Sequence, residues 1–195
     1  MLFWGLLGVI VSIGLWTIAI YNGLVRQRNF MRNAFSQIDV QLKRRHDLVP
    51  TLVETARGYL KHERQTLEAV TLARQRASEA REAAVTGHGK AELIERLDRA
   101  EAGLAGALGK FSLVVEAYPE LKADKQIASL SEELASTENR ISFSRQAFND
   151  QVMTYNTAIE SFPASIVASL CGFRRSSTLR ATASAQERQP IPVAL

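Results

Sequence analysis

The stretch MRNAFSQIDVQLKRRHDLVPTLVETA, residues 31–56, sets Met31, Phe35, Ile38, Leu42, Val49, Leu52 and Ala56 in alternating steps of four and three. On a helix of 3.6 residues per turn, such steps put every one of these side chains on a single face, whereas a half-buried strand would alternate every second residue. The stretch is therefore one side of a buried helical seam. Arg45 occupies a position where the same repeat asks for an apolar side chain. The phase continues outward through Tyr59, Thr66, Val70 and Ala77, interrupted at Glu63, with Gly58 the one interior glycine. This reads as helix from Asn22 to about Ala84. Pro50 leaves two alternatives open: a kink in one long helix, because a backbone hydrogen bond is lost, or the first turn of a new helix capped by Asp47.

Further along, Thr86, Gly87, His88 and Gly89 read as a turn, and Leu93, Leu97, Ala100, Leu104, Leu108, Phe111 and Val115 resume the stripe. Pro119 ends that helix by disfavouring helical geometry at Tyr118. Asp124 is an acceptable N-cap for the next. That helix carries Ile127, Leu130, Leu134, Thr137, Ile141, Ser144, Phe148, Val152, Tyr155 and Ile159 at three-four spacing as far as Phe162-Pro163. No window alternates with period two, so strands are not expected. A straight helix of about 60 residues would reach roughly 90 Å and its partners roughly 42 and 55 Å. Either the chain turns near Pro50 to give four helices of similar length, or the membrane-proximal half packs on another subunit.

Toward the N-terminus, residues 2–20 carry no charge and are nineteen in number, about 28 Å of helix against a hydrocarbon layer of roughly 30 Å. Trp4, Trp16 and Tyr21 lie near the ends, where amphipathic rings sit among headgroups. Arg26, Arg28, Arg32, Lys43, Arg44 and Arg45 follow the span and none of their kind precedes it. The positive-inside bias then predicts an uncleaved, single-pass anchor in the inner (cytoplasmic) membrane, N-terminus outside and the rest in the cytoplasm. A signal peptide would show a charged leader, a shorter apolar core and a small-residue cleavage site. The fold class expected is all-α: an N-terminal transmembrane helix, then an antiparallel up-and-down bundle of three to four long helices. Residues 1–21 form the anchor, 22–173 the bundle and 174–195 a disordered basic tail. Residues 164–173 are apolar but too short to span, so they pack on the bundle end or lie in the membrane interface.

A single cysteine, Cys171, rules out an intramolecular disulfide and a thiolate-based zinc site, and its apolar neighbours read as packing. Formal charge is +4 for residues 22–48, +3 for 174–195 and −3 between them. Basicity beside a span suits anionic lipid better than a nucleic-acid groove. His46, His62 and His88 are dispersed, and the zincin-like His62-Glu63 fails because Thr66 stands where the second histidine belongs. Gly103, Gly106 and Gly109 read as small residues permitting close helix approach rather than as a phosphate loop. No catalytic group, cofactor or metal is expected.

One polar arrangement stands out. Glu138, Asn139, Arg140, Arg145, Asn149, Tyr155 and Asn156 lie along or beside the stripe of the last long helix, and Gln37, Asp39, Gln41, Lys43, Arg44 and Asp47 along the membrane-proximal one. If these faces meet they make a semi-buried network setting helix register, or a partner surface; otherwise they are solvated.

The stretches Tyr21-Asn22-Gly23-Leu24-Val25, Ser36-Gln37-Ile38-Asp39-Val40-Gln41-Leu42-Lys43-Arg44-Arg45-His46-Asp47-Leu48-Val49-Pro50, Leu52-Val53-Glu54-Thr55, Gly58-Tyr59, His62-Glu63, Tyr118-Pro119-Glu120-Leu121-Lys122-Ala123, Thr137-Glu138-Asn139-Arg140-Ile141, Asn149-Asp150, Tyr155-Asn156 and Phe162-Pro163, in this order, resemble the LemA family. The resemblance covers residues 21–173. It implies a single-span bacterial membrane protein with a cytoplasmic four-helix up-and-down bundle and no established activity or cofactor. Phe35 stands where the family usually has Trp, and the tail lacks the family's aromatic-acidic ending. Three functions follow as expectations: a tethered interaction module with a protein partner or homo-oligomer; an envelope organiser whose basic segment binds anionic lipid; and, least supported, an enzyme or ligand sensor built on Asp39, Asp47, Glu138 and Arg145.

Overall fold

The computed structural model describes residues 2–60, 62–87 and 89–179. All regular structure among them is helical: α1 Leu2–Arg57, α2 Arg64–Thr86, α3 Ala91–Ala117, α4 Pro119–Ala123, α5 Lys125–Glu160 and α6 Ala164–Leu170. His88 and residues 180–195 lie outside the described residues.

α1 is a single helix of 56 residues with Pro50 in its interior. Of the two alternatives, continuity therefore holds. Pro50 is exposed, so its ring faces solvent rather than a packed neighbour. The chain turns eight residues later, at Gly58–Glu63, and the expectation of helix through to Ala84 is corrected there. Helix propensity drops at Gly58. Tyr59 and Leu60 amides both fold back on the Ala56 carbonyl at 3.0 Å. Leu60 is buried and Tyr59 exposed, the reverse of the heptad phase, because the turn rotates the chain so that Leu60 closes the distal core.

Elsewhere the apolar spacing carries through. Met31, Phe35, Ile38, Leu42, Val49, Leu52 and Ala56 are all buried on α1, as are Ile127, Thr137, Ile141, Phe148, Val152, Tyr155 and Ile159 on α5. Pro119 opens α4 directly after α3, and the Asp124 carboxylate accepts the Gln126 and Ile127 amides at 2.8 and 3.0 Å, capping α5. Gly89 adopts φ +73° in the α2–α3 turn, a left-handed conformation that favours glycine. On α3, Gly103, Gly106 and Gly109 are exposed, and a Cβ at any of them would meet nothing within 4 Å. The expectation that they admit a close helix is corrected: they sit on the outer face.

α1 packs along α5 and, distally, against α2; α2 packs against α3. The lengths resolve the mismatch read from the sequence. α5 has 36 residues, about 54 Å, and matches residues 22–57 of α1. The α2–α3 hairpin is shorter, with 23 and 27 residues. The stretch of α1 and α5 nearest the span is covered instead by α6 and by extended residues 173–179. Val167 and Ala168 of α6 are buried, and Leu179 is 2% exposed within the cluster that holds Phe35, Phe148 and Val152. Of residues 174–179, grouped with a disordered tail by composition, Leu179 thus belongs to the core, while Arg174, Arg175 and Thr178 are exposed. Cys171 is exposed, not packed, because α6 turns its Val167–Ala168 side to the bundle and Cys171 falls beyond its end.

The N-terminal part of α1 is long and apolar enough to cross a membrane, and none of that window is buried against the rest of the chain. Trp4 and Trp16 stand exposed on it. Tyr21, where it ends, meets the Phe173 ring edge-on at 5.7 Å, and the Arg28 guanidinium lies 5.0 Å above the same ring.

Candidate functional site: a buried charge cluster and a main-chain clamp

Arg45, the residue that interrupted the repeat, is the largest fully buried side chain among the described residues. On α3, Glu101 lies four residues after Leu97 and three before Leu104, so helical spacing turns it to the same interior. It is 1% exposed. Arg45 Nη2 pairs with Glu101 Oε2 and Nη1 with Glu138 Oε2 of α5. His46 Nε2–H donates to the other Glu101 oxygen at 2.9 Å. One carboxylate therefore accepts from two consecutive residues of α1. Burial on its own would push the Glu101 carboxyl up; the His46 hydrogen bond and the Arg45 charge outweigh it and hold the group below its ordinary range. One turn from Ile141 on α5, Arg145 is buried too. Burial pushes its guanidinium down, opposed first by the charge of Asp98. Glu138 alone of the Arg45 cluster reaches solvent, with 41% side-chain exposure, at the floor of a groove of about 750 Å³ between α3 and α5.

The polar residues expected to form one network fall into separate groups. Asp39 pairs with Arg81 of α2 at 2.7 Å, a partner composition did not suggest. Arg44 pairs with Glu133 of α5, and Lys43 with Asp47 at 2.8 Å along the surface of α1. The Lys43 hydrogen bond holds the Asp47 carboxyl below its usual range. Gln41 is half-buried, while Gln37, Asn139, Arg140, Arg26 and Arg32 are exposed. The two long faces do meet, through Arg45 with Glu138 and Arg44 with Glu133.

The third group grips the chain itself. Asn149 Nδ2 donates to the Leu179 carbonyl at 2.7 Å and its Oδ1 accepts the Leu179 amide at 2.9 Å. Asn156 does the same for Ser176, at 2.9 and 3.0 Å. Tyr155 Oη–H donates to the Arg174 carbonyl at 2.9 Å, and burial pushes its phenol up. Sequence reasoning placed all three on a polar face and missed what they hold. Arg45, His46, Glu101 and Arg81 were missed as site residues; the signal for two of them was a charge at a core position of the repeat.

Chemically, this is an arrangement of internal pairs in which Arg45 Nε and His46 Nδ1 are buried without a hydrogen-bond partner among the described residues. Glu101 is engaged on both oxygens and Arg45 on both terminal nitrogens, so neither is turned toward a reacting atom. Among the described residues, no three of His, Cys, Asp and Glu are grouped to hold a metal.

Fold and cluster define a class: a bundle of four long helices built on the continuation of an apolar N-terminal helix, with a buried arginine–glutamate pair at its centre. The LemA family model matches residues 34–194. The chain belongs to the LemA family. It is similar to the magnetosome protein MamQ of Magnetospirillum gryphiswaldense, 25% identical over 170 residues, 80% of this chain and 62% of the relative. It is also similar to protein LemA of Metamycoplasma hominis, 29% identical over 147 residues, 75% and 63% of the two chains. Magnetosome protein MamQ 2 of Paramagnetospirillum magneticum matches at 25% over 170 residues, 80% of this chain and 62% of the relative. The chain spans about three-fifths of the length of these curated relatives. None of these names is that of an enzyme, and the candidate span together with the family marks a membrane protein.

Proposed function

We propose that this protein is a membrane-tethered interaction scaffold whose bundle faces the cytoplasm from a single-pass anchor in the inner membrane and binds a protein partner or a second copy of itself. The observation that supports this reading is the unbroken α1, which runs from the apolar segment to the far end of the bundle and makes the whole body one stiff projection. Its charged interior is consumed in internal pairs, while Phe30, Val40, Phe143 and Met153 stand 51, 61, 74 and 67% exposed on α1 and α5. Exposed aromatic and aliphatic residues of this size are what helical partners use as anchors. Catalysis has no support here beyond the half-exposed Glu138. Purification of the full chain in mild detergent tests the reading: a stoichiometric partner or homo-oligomer is expected, and a solitary monomer would defeat it. The cytoplasmic orientation predicts that protease added to intact spheroplasts spares the bundle.

A second reading, contact with the lipid surface, is favoured by α6. It packs at the end of the bundle where Phe173 meets Tyr21, and it leaves Phe162 and Leu170 82% and Ile166 55% exposed. Short amphipathic segments with basic neighbours, here Arg174 and Arg175, seat such side chains at the headgroup boundary. Cys171, exposed beside Leu170, reports on this directly: a polarity-sensitive dye on Cys171 in proteoliposomes should emit at an apolar wavelength, and emission typical of water would remove the reading.

A further inference from the structure

α5 holds residues 174–179 by their main chain. Five hydrogen bonds, from Asn149, Tyr155 and Asn156, go to backbone amides and carbonyls of Arg174, Ser176 and Leu179. Each asparagine takes both the N–H and the C=O of one residue, as a neighbouring strand would. The spacing explains why it works. Seven helical residues separate Asn149 from Asn156, about 10.5 Å, and three extended residues separate Ser176 from Leu179, about 10 Å. A helix and an extended peptide are thereby brought into register. Side-chain selection rests on Leu179, which is 2% exposed.

We propose that this α5 face is a peptide clamp that reads an extended backbone ending in an apolar anchor, and that residues 174–179 of a second copy occupy it in exchange for the chain's own. This goes beyond the scaffold reading and rests on it only in taking a second copy as the partner. Three observations favour that occupant. The second copy's segment offers the same backbone and the same leucine, so every contact is kept on exchange and effective concentration alone sets the balance. Gly172, with φ +71°, stands directly before the segment, and Cys171 beside it is exposed, so a change of direction there gives up the Phe173 amide's bond to the Ala168 carbonyl at 2.9 Å and the packing of the Phe173 ring, and leaves the rest of α6 in place. Phe173, against Tyr21 at the end of the span, puts the segment of every copy at one depth, and neighbours in a membrane meet in that plane.

The test uses the full chain in membranes with Cys171→Ser as background. Ser177 Oγ lies 3.5 Å from Glu95 Oε1 of α3, so Ser177→Cys and Glu95→Cys mark a docked segment. Both changes in one chain should permit an intrachain link with a short bis-thiol reagent. Co-expressed with one change in each of two tagged copies, they should yield an interchain link. Adding Asn149→Ala and Asn156→Ala should reduce that link by more than about tenfold. An intrachain link without an interchain one shows a strap fixed in its own chain and overturns the proposal; no link in either arrangement overturns the clamp itself. Recovery of an unrelated partner by the untouched chain, or its absence, bears on the scaffold reading and leaves this result intact.

Discussion

The Nε–H of Arg74, on α2, donates to the main-chain carbonyl of His46, on α1, at 3.0 Å. That carbonyl is the acceptor four residues before Pro50, which has no N–H to offer it. A neighbouring helix thus satisfies the group that the proline leaves unused, and α1 passes through Pro50 without a break. An interior proline otherwise costs about 3 kcal/mol. Arg74→Met should therefore destabilise the bundle by about 1 kcal/mol. In a Pro50→Ala background the same change should cost clearly less, since residue 50 then takes the carbonyl. Thermal unfolding of the four proteins in detergent, followed by circular dichroism, gives the coupling; equal effects in both backgrounds would refute the link.

The central pair makes a sharper demand. Removing one member of a buried ion pair strands the other in a medium that solvates it poorly, at about 3–5 kcal/mol, whereas an apolar replacement of both is frequently close to neutral. Arg45→Met alone should lower the unfolding temperature strongly, and Arg45→Met with Glu101→Leu should recover most of the loss. Two losses that simply add would show that the pair is not a unit.

Acid sensitivity follows from the same carboxyl. The folded chain holds Glu101 below its ordinary range, so on acidification the unfolded chain takes up its proton first. The associated stability is complete above the unfolded value of about 4.3 and is lost as pH falls through the folded one. The unfolding midpoint should be flat with respect to this group near neutrality and decline below about pH 4.3. Glu101→Gln should decline less steeply over that range from a lower starting point, and an unchanged slope would show that other carboxyls carry the effect.

The clamp predicts a local signature. Amide exchange at Ser176 and Leu179 should be slow in the native chain, because both N–H groups are held by asparagine oxygens. Asn156→Ala should release Ser176 and Asn149→Ala should release Leu179, each with a loss of about 1–2 kcal/mol. Residue-resolved exchange measured by mass spectrometry separates the two.

Sequence alone carried the helices of this fold because their buried residues repeat at three-four spacing, and that signal survives in Met31 to Ala56 and in Ile127 to Ile159. It misplaced the first turn because Tyr59 and Thr66 keep the heptad phase by accident of composition. What decides the turn is remote in sequence: Leu60 closing the distal core and Tyr59 reaching the Asp124 carboxylate at 2.9 Å. Glu101 was legible in principle, since its spacing from Leu97 and Leu104 is that of a core residue, but a carboxylate is normally wet. Asn149 and Asn156 were seen on the right face. Their ligand was invisible because residues 174–179 have the composition of a loose tail, and main-chain hydrogen bonds leave no mark in side-chain identity.

The continuity of α1 has a mechanical corollary. Residues 22–57 climb about 54 Å at the rise of a helix, so in the proposed scaffold, with the apolar segment as anchor, the Gly58 corner would ride clear of the bilayer, as on a mast. A rotation of the apolar segment about its own axis would be carried toward that height by one continuous helix. Whatever meets the distal end of this protein is thereby kept at a gauged distance from the lipid.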